Sequence, residues 1–269
     1  MNNQRLRGVA ADTVAITQAG GYHARSGEWI DIRDAVRAAV ARTHLYLPGE
    51  PLPAGFGRAG SGLVEVSNES TLAAARRLGD GAAALVFASA RNPGGGFLSG
   101  ARAQEEDIAR ASALHACLSA APAFYLHHRA NTDPRYSDRV IYSPGVPVFR
   151  DDGLRLLDRP HRTAFVTAAA PNLRAVVTNQ PELAPTVPAV LRARALRVVE
   201  VAAAHGHRRL VLGAWGCGVF GNAPSTVAAA FMAALDRVDA FDHVIFAVLD
   251  RAPGTPTFHA FATAASSLV

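Results

Sequence analysis

The chain has 269 residues, enough for one sizeable α/β domain with a modest extension. Hydrophobic residues make up 49% and charged residues 18%, which allows a large buried core and excludes global disorder. The net charge of +5 comes with no lysine at all, and the arginines are scattered. That pattern suits a diffuse attraction for polyanions and argues against a dedicated nucleic-acid arm.

No apolar run approaches the ~18–20 residues needed to span a bilayer. The N-terminal stretch MNNQRLRGVAADT lacks the apolar core of a secretory leader. Two cysteines, Cys117 and Cys217, are too few for a disulfide framework or a cysteine zinc site. A cytoplasmic protein is the expectation.

Along the chain, TVAIT at Thr13 to Thr17 reads as a short strand, and Ile30 to Thr43 has helical spacing. The stretch from Leu45 to Gly62 is dense in Pro and Gly and reads as a connector. We therefore expect an accessory segment over 1–60 and a main domain over 61–269. That domain opens with LVEVSN as a strand and STLAAARRLGD as a helix. AALVFASA follows, an apolar run suited to a strand buried on both faces. The loop RNPGGGFLSGARA leads into one helix over EEDIARASALHACLSAA, where Ile108, Ala111, Leu114, Cys117 and Leu118 recur at helical spacing. RVIYSPGVPVF and TAFVTAAAP supply two more strands. A helix over Val187 to His205, a strand at RLVLGAW, a helix over Ser225 to Val238 and a last strand at HVIFAVLD complete a three-layer α/β pattern.

Two glycine loops carry the chemistry. Asn92, Pro93, Gly94, Gly95 and Gly96 follow a strand; without Cβ atoms the backbone can lie against a diphosphate or sugar and aim its N–H groups at it. Seven residues further on come Gln104, Glu105, Glu106 and Asp107 at a helix start, where acids also favour the helix dipole. A general acid needs a raised pKa and a place beside the leaving group. Neighbouring helix positions face differently, so the two glutamates are expected to divide their roles. The second loop, Gly216, Cys217, Gly218, Val219, Phe220 and Gly221, matches the G-x-G-x-x-G pattern of dinucleotide sites. A Rossmann oxidoreductase is thus a rival reading, with Asp250 as its ribose-binding acid. Asp250 lies well past the expected spacing of ~20 residues, and too few strands follow the loop. Cys217 lacks the flanking glycines of a nucleophile elbow.

Triple glycine, a gap of seven and then Gln-Glu-Glu resembles the signature of poly(ADP-ribose) glycohydrolases. The segment from Ala88 to Asp107 is similar to the bacterial-type branch, as are VEVSN at Val64, YSPGVPVFRDD at Tyr142, TAAAPN at Thr167 and GAWGCGVFGN at Gly213. The resemblance implies an α/β macrodomain, a three-layer fold with a mixed central sheet, here preceded by a small N-terminal accessory segment. It implies hydrolysis of ribose–ribose bonds in poly(ADP-ribose), releasing ADP-ribose from chain ends, with Glu106 as catalytic glutamate. Glu105 then binds the ribose beside the scissile bond, Asn92 the distal ribose, and Phe220 packs against the terminal ribose. Pro93, the loop glycines, Gln104, Cys217 and Val219 complete the expected substrate contacts.

No cofactor and no metal are expected, since His127, His128, His205 and His207 lack ligand spacing and read as surface residues. The other expectations are a monomer, no sequence-specific nucleic acid and no membrane. A macrodomain that only binds ADP-ribose is the second reading, although such a reader has no need of a general acid.

Overall fold

The computed structural model describes residues 3–54 and 62–266. Its elements begin with α1 (Asn3–Ala19), β1 (Gly21–His23), β2 (Trp29–Asp31), α2 (Arg33–Ala41), β3 (His44–Tyr46), β4 (Leu63–Ser67), α3 (Thr71–Leu78) and β5 (Ala83–Phe87). Then come α4 (Gln104–Ala111), α5 (Leu114–Ser119), α6 (Pro122–Ala130), β6 (Val140–Arg150), β7 (Leu156–Ala168), α7 (Leu173–Asn179) and α8 (Val187–Ala204). β8 (Arg209–Leu212), α9 (Pro224–Arg237), β9 (His243–Ala247) and α10 (Pro256–Ser266) end the described chain.

Among the described residues, seven strands form one sheet in the order β3-β6-β7-β5-β8-β9-β4. The run β7-β5-β8-β9-β4 is parallel, while β6 is antiparallel to both β7 and β3. Successive side chains of a strand point to opposite faces, and β5 shows it directly. Ala84 and Val86 join a core with α2 to α6, whereas Ala83 and Leu85 join a second core under α8, α9 and α10. This is the expected three-layer α/β architecture with a mixed sheet. The loops that leave β5, β7, β8 and β9 emerge at one edge of the parallel region, where open α/β sheets place ligands.

Several local expectations give way. TVAIT lies inside α1, because Leu6, Ala10, Thr13 and Ile16 bury one helical stripe and tertiary packing overrides the alternating pattern. The helix expected over Ile30 to Thr43 is α2 alone; Trp29 to Asp31 pairs with β1 instead. Leu45 and Tyr46 of the expected connector are in β3, paired with β6 at the sheet edge, and residues 55–61 of it lie outside the described residues. The single helix over Glu105 to Ala121 is two, since Ser112 turns extended, bridges Val148, and spends its hydroxyl on Ile108 O at 2.7 Å. His128 is buried rather than superficial. It packs against Phe124 and Tyr136, its Nε2 meets Ser137 Oγ at 2.8 Å, and burial pushes its pKa down to about 4. His205 stacks on Tyr142 at 3.6 Å and is half-buried.

The N-terminal helix is tied to the sheet and to α4. Thr13 Oγ1 donates to Arg110 O at 2.6 Å and accepts from Arg150 Nε at 3.3 Å, and Arg150 also pairs with Asp12. Removing one partner of a buried hydrogen bond strands the other at a cost of about 1–3 kcal/mol. Thr13→Val, which keeps the volume, is therefore expected to lower unfolding free energy by about that amount. Urea titrations of wild type and variant measure the loss, and equal midpoints would disprove the tie.

Candidate active site

The loop after β5 folds as two tight turns. Gly95 N donates to Asn92 O at 3.0 Å, and Phe97 N to Gly94 O at 3.2 Å. Gly94 and Gly95 hold φ of +70° and +58°, the left-handed region in which only glycine is unstrained. Gly95 has a second reason to be glycine. A Cβ there would lie inside contact with Glu106 Oε1 and 3.0 Å from Glu105 Oε2. The backbone of the triple glycine thus rests directly on both carboxyl groups.

Helix α4 starts where these carboxyls need it. Gln104 pins its first turn to β5: Oε1 accepts from Phe87 N at 2.9 Å, and Nε2 donates to Leu85 O at 2.7 Å and to Thr71 Oγ1 at 3.0 Å. The carboxamide expected to meet substrate is engaged as a strut between helix and strand. Arg110, fully buried, pins the other end by donating to Ala101 O at 2.8 Å and to Asp107 Oδ1 at 2.6 Å. Ser89 and Arg110 carried no signal in the sequence. Each is an ordinary residue type made important by what it touches.

The two glutamates converge more than adjacent helix positions suggest, but at different depths. Glu105 is 2% exposed; its Oε2 accepts from Ser89 N at 2.6 Å, the Gly94 N–H adds a bond, and Oε1 has no partner among the described residues. Burial first, opposed by the Ser89 bond and helped by the Glu106 charge, holds its pKa well above the usual carboxylate range. Glu106 is 9% exposed at the rim, and its Oε1 accepts from Gly96 N at 2.9 Å. The N–H groups of Gly94 and Gly96, expected to face a ligand, are spent on the carboxyls. Asn92 stands exposed at the loop start with its N–H on Ser89 Oγ at 3.2 Å, and Pro93 is half-buried.

The second loop leaves β8, the strand next to β5. Gly216, at φ +71°, packs where a Cβ would meet Ala170 and Asn222 at 2.6 Å. Asn222 fastens the loop by donating to Pro171 O at 2.8 Å and Gly216 O at 3.2 Å. Gly221 N donates to Gly218 O at 3.1 Å. By contrast, the N–H groups of Gly218, Val219 and Phe220 donate no hydrogen bond among the described residues. Val219 is 78% exposed, and open space surrounds Gly218. This loop, unlike the first, leaves three successive N–H groups without an internal acceptor, as an anion site requires. Phe220 is half-buried beside Tyr136, ring centroids 5.9 Å apart. Burial pushes the Cys217 thiol up to about 12, which fits a small loop residue and not a nucleophile. Asp250 is occupied as well: its Oδ2 accepts from Thr257 N at 2.7 Å and Phe258 N at 3.3 Å, at the start of α10. Among the described residues no group of three His, Cys, Asp or Glu side chains is placed to hold a metal ion, and no helix is long and apolar enough to cross a membrane.

The buried Glu105 gives a pH test. Its folded pKa lies above the unfolded value, so the native state binds the extra proton and stability falls as pH rises between the two values. The contribution is complete below the ordinary glutamate range and lost once pH passes the raised pKa. Glu105→Gln, which cannot ionise, is expected to flatten that decline and to melt above wild type at alkaline pH. Thermal unfolding from pH 4 to pH 9 reads this, and parallel curves would refute the raised pKa.

The family model for the microbial-type PARG catalytic domain matches residues 10–151. Poly(ADP-ribose) glycohydrolase from Thermomonospora curvata is 50% identical, with 97% of this chain and 99% of that chain covered and a TM-score of 0.91. The structure of the same enzyme bound to the inhibitor ADP-HPD aligns at a TM-score of 0.88 with the same identity and coverage. Poly(ADP-ribose) glycohydrolase from Deinococcus radiodurans in complex with ADP-ribose is 46% identical, covering 87% of this chain and 98% of that chain at a TM-score of 0.81. A search of curated proteins returns no match. With half of the chain inside the family model and half of its residues identical to a member over nearly its whole length, the chain belongs to the microbial-type poly(ADP-ribose) glycohydrolases.

Proposed function

We propose that this chain hydrolyses ribose–ribose bonds in poly(ADP-ribose) and releases ADP-ribose from chain ends, with Glu106 as the acid and then the base. One observation carries the reading: two carboxyl groups, on consecutive residues, are buried beneath a glycine loop at the ligand edge of the sheet. Burying two such groups together is costly, and a site that uses a proton gives the cost a purpose.

The roles follow from depth and from what each oxygen touches. Glu106 sits at the rim, with Oε1 taken by Gly96 N, so Oε2 is the oxygen free to hand a proton to the departing ribose. Protonated departure leaves an oxocarbenium-like sugar, and the resulting Glu106 carboxylate then takes a proton from the attacking water. Glu105 lies deeper, held by Ser89, and its unpartnered Oε1 is placed to bind a hydroxyl of the same sugar. The N–H groups of Gly218 to Phe220 suit the diphosphate, and Phe220 supports the terminal ribose. Asn92, exposed at the loop start, fits a contact to the distal ribose.

A binding-only reading would keep the anion loop and have no use for the proton. Glu106→Gln separates the two. Wild type should release ADP-ribose from labelled poly(ADP-ribose) in the presence of EDTA. The variant should be slower by about 100- to 10,000-fold while still binding ADP-ribose. A wild-type protein that binds polymer and releases nothing would make it a reader.

A further inference from the structure

On the side of the carboxylate pair away from β8, the structure holds a cavity of about 240 Å³. Its walls include Arg91, Asn131, Asp133, Tyr136, Asn172 and Asn179. They come from the start of the first glycine loop, the segment entering β6, and the segment leaving β7. In the sheet order β6-β7-β5-β8, the carboxylates at the end of β5 stand between this cavity and the exit of β8. Tyr136 links it to the cleft, with its ring 5.9 Å from Phe220 and 5.7 Å from His128. Its backbone is left-handed, at φ +60°, a state that a bulky side chain keeps only when its surroundings impose it.

We propose that this cavity binds the adenosine of the ADP-ribose unit on the leaving side of the scissile bond. The inference rests on the reading of Glu106 as the acid. The departing oxygen belongs to a ribose that itself carries adenine, so that base must lie one sugar away from the acid. Arg91 is only five residues before Gly96, whose N–H is on Glu106, and the Gly95-to-Asn92 turn folds that stretch back on itself. The second loop leaves β8 and reaches over to this wall, where Phe220 O accepts from Arg174 N at 3.0 Å, so the cavity adjoins the loop read as holding the released unit's diphosphate, with Phe220 at the boundary.

Size and chemistry agree. The cavity falls below the ~300–1,000 Å³ usual for sites that enclose a whole drug-sized ligand, and suits one nucleoside rather than a full ADP-ribose. Asn131 and Asn172 spend Oδ1 on Asp133 N and Ala175 N, which leaves their amide NH₂ groups as donors. Asn179 is exposed at the end of α7. These amides match the donor and acceptor edge of a base, and Tyr136 offers it an aromatic neighbour. The Arg91 guanidinium, without a partner among the described residues, suits the phosphate that follows the nucleoside.

The test compares two substrates that differ only in the leaving group: poly(ADP-ribose), and ADP-ribose whose anomeric carbon carries nitrophenol in place of the next unit. The Asn131→Ala/Asn179→Ala double variant is expected to lower the polymer-to-nitrophenyl ratio of kcat/KM about tenfold, from the loss of two neutral hydrogen-bonding groups. Asn179→Trp, which obstructs the cavity from an exposed helix end, should lower the same ratio independently. A ratio unchanged in both variants, with polymer hydrolysis intact, overturns the inference and leaves the active-site reading standing. A wild-type protein that hydrolyses neither substrate overturns the active-site reading, and the cavity's assignment with it.

Discussion

The contact between Gly95 and the two carboxyl groups is the constraint from which the rest of the site follows. Because a Cβ at Gly95 would occupy the place of Glu106 Oε1, backbone and carboxylate can approach only as they do here. The approach then dictates where α4 begins, and Gln104 fixes it there through three hydrogen bonds to β5 and α3. It also dictates how α4 is held at its far end, through Arg110 and the strand of loop that Arg110 grips at Ala101. Thr13 takes the carbonyl of that same arginine. A helix more than ninety residues earlier in the chain is in this way part of the scaffold for the acid pair.

The two glycine loops have similar compositions and opposite uses. In the first, N–H groups turn inward to Glu105 and Glu106, so its glycines hold the two carboxyl groups in place. In the second, three successive N–H groups donate no bond among the described residues, and Asn222 braces the loop. Glycine supplies conformational freedom in both, and the neighbours decide what the freed N–H groups meet. A sequence motif made of glycines therefore marks a place of close backbone approach without saying what is approached.

Much of the architecture was legible in the sequence because it rests on local patterns. The buried run at Ala83 to Phe87, the amphipathic repeat of α3 and the long α8 each carry their own period. What failed did so where distant partners decide. Thr13 to Thr17 alternates like a strand, yet its hydroxyls and its buried stripe have partners only in a helix. Ser112 breaks a helical repeat because an edge of β6 is available to it. At the site, the Gln-Glu-Glu run marked two carboxyl groups that the fold buries together, while Ser89, Arg110 and Tyr136 gave no warning. Their roles arise from burial and from backbone geometry that no short pattern encodes.

The pairing of two carboxyls also answers an electrostatic difficulty. On the proposed reading the substrate brings a diphosphate to the second loop, and two ionised carboxylates nearby would repel it. Burial works against the second of these charges, since desolvation is the chief cause that raises the Glu105 pKa. A neutral Glu105 can also donate to a sugar oxygen as well as accept from a hydroxyl, which an ionised one cannot. The depth difference between the glutamates thus matches the proposed division of roles, in which the deeper group orients a sugar and the shallower one serves the leaving oxygen and the attacking water.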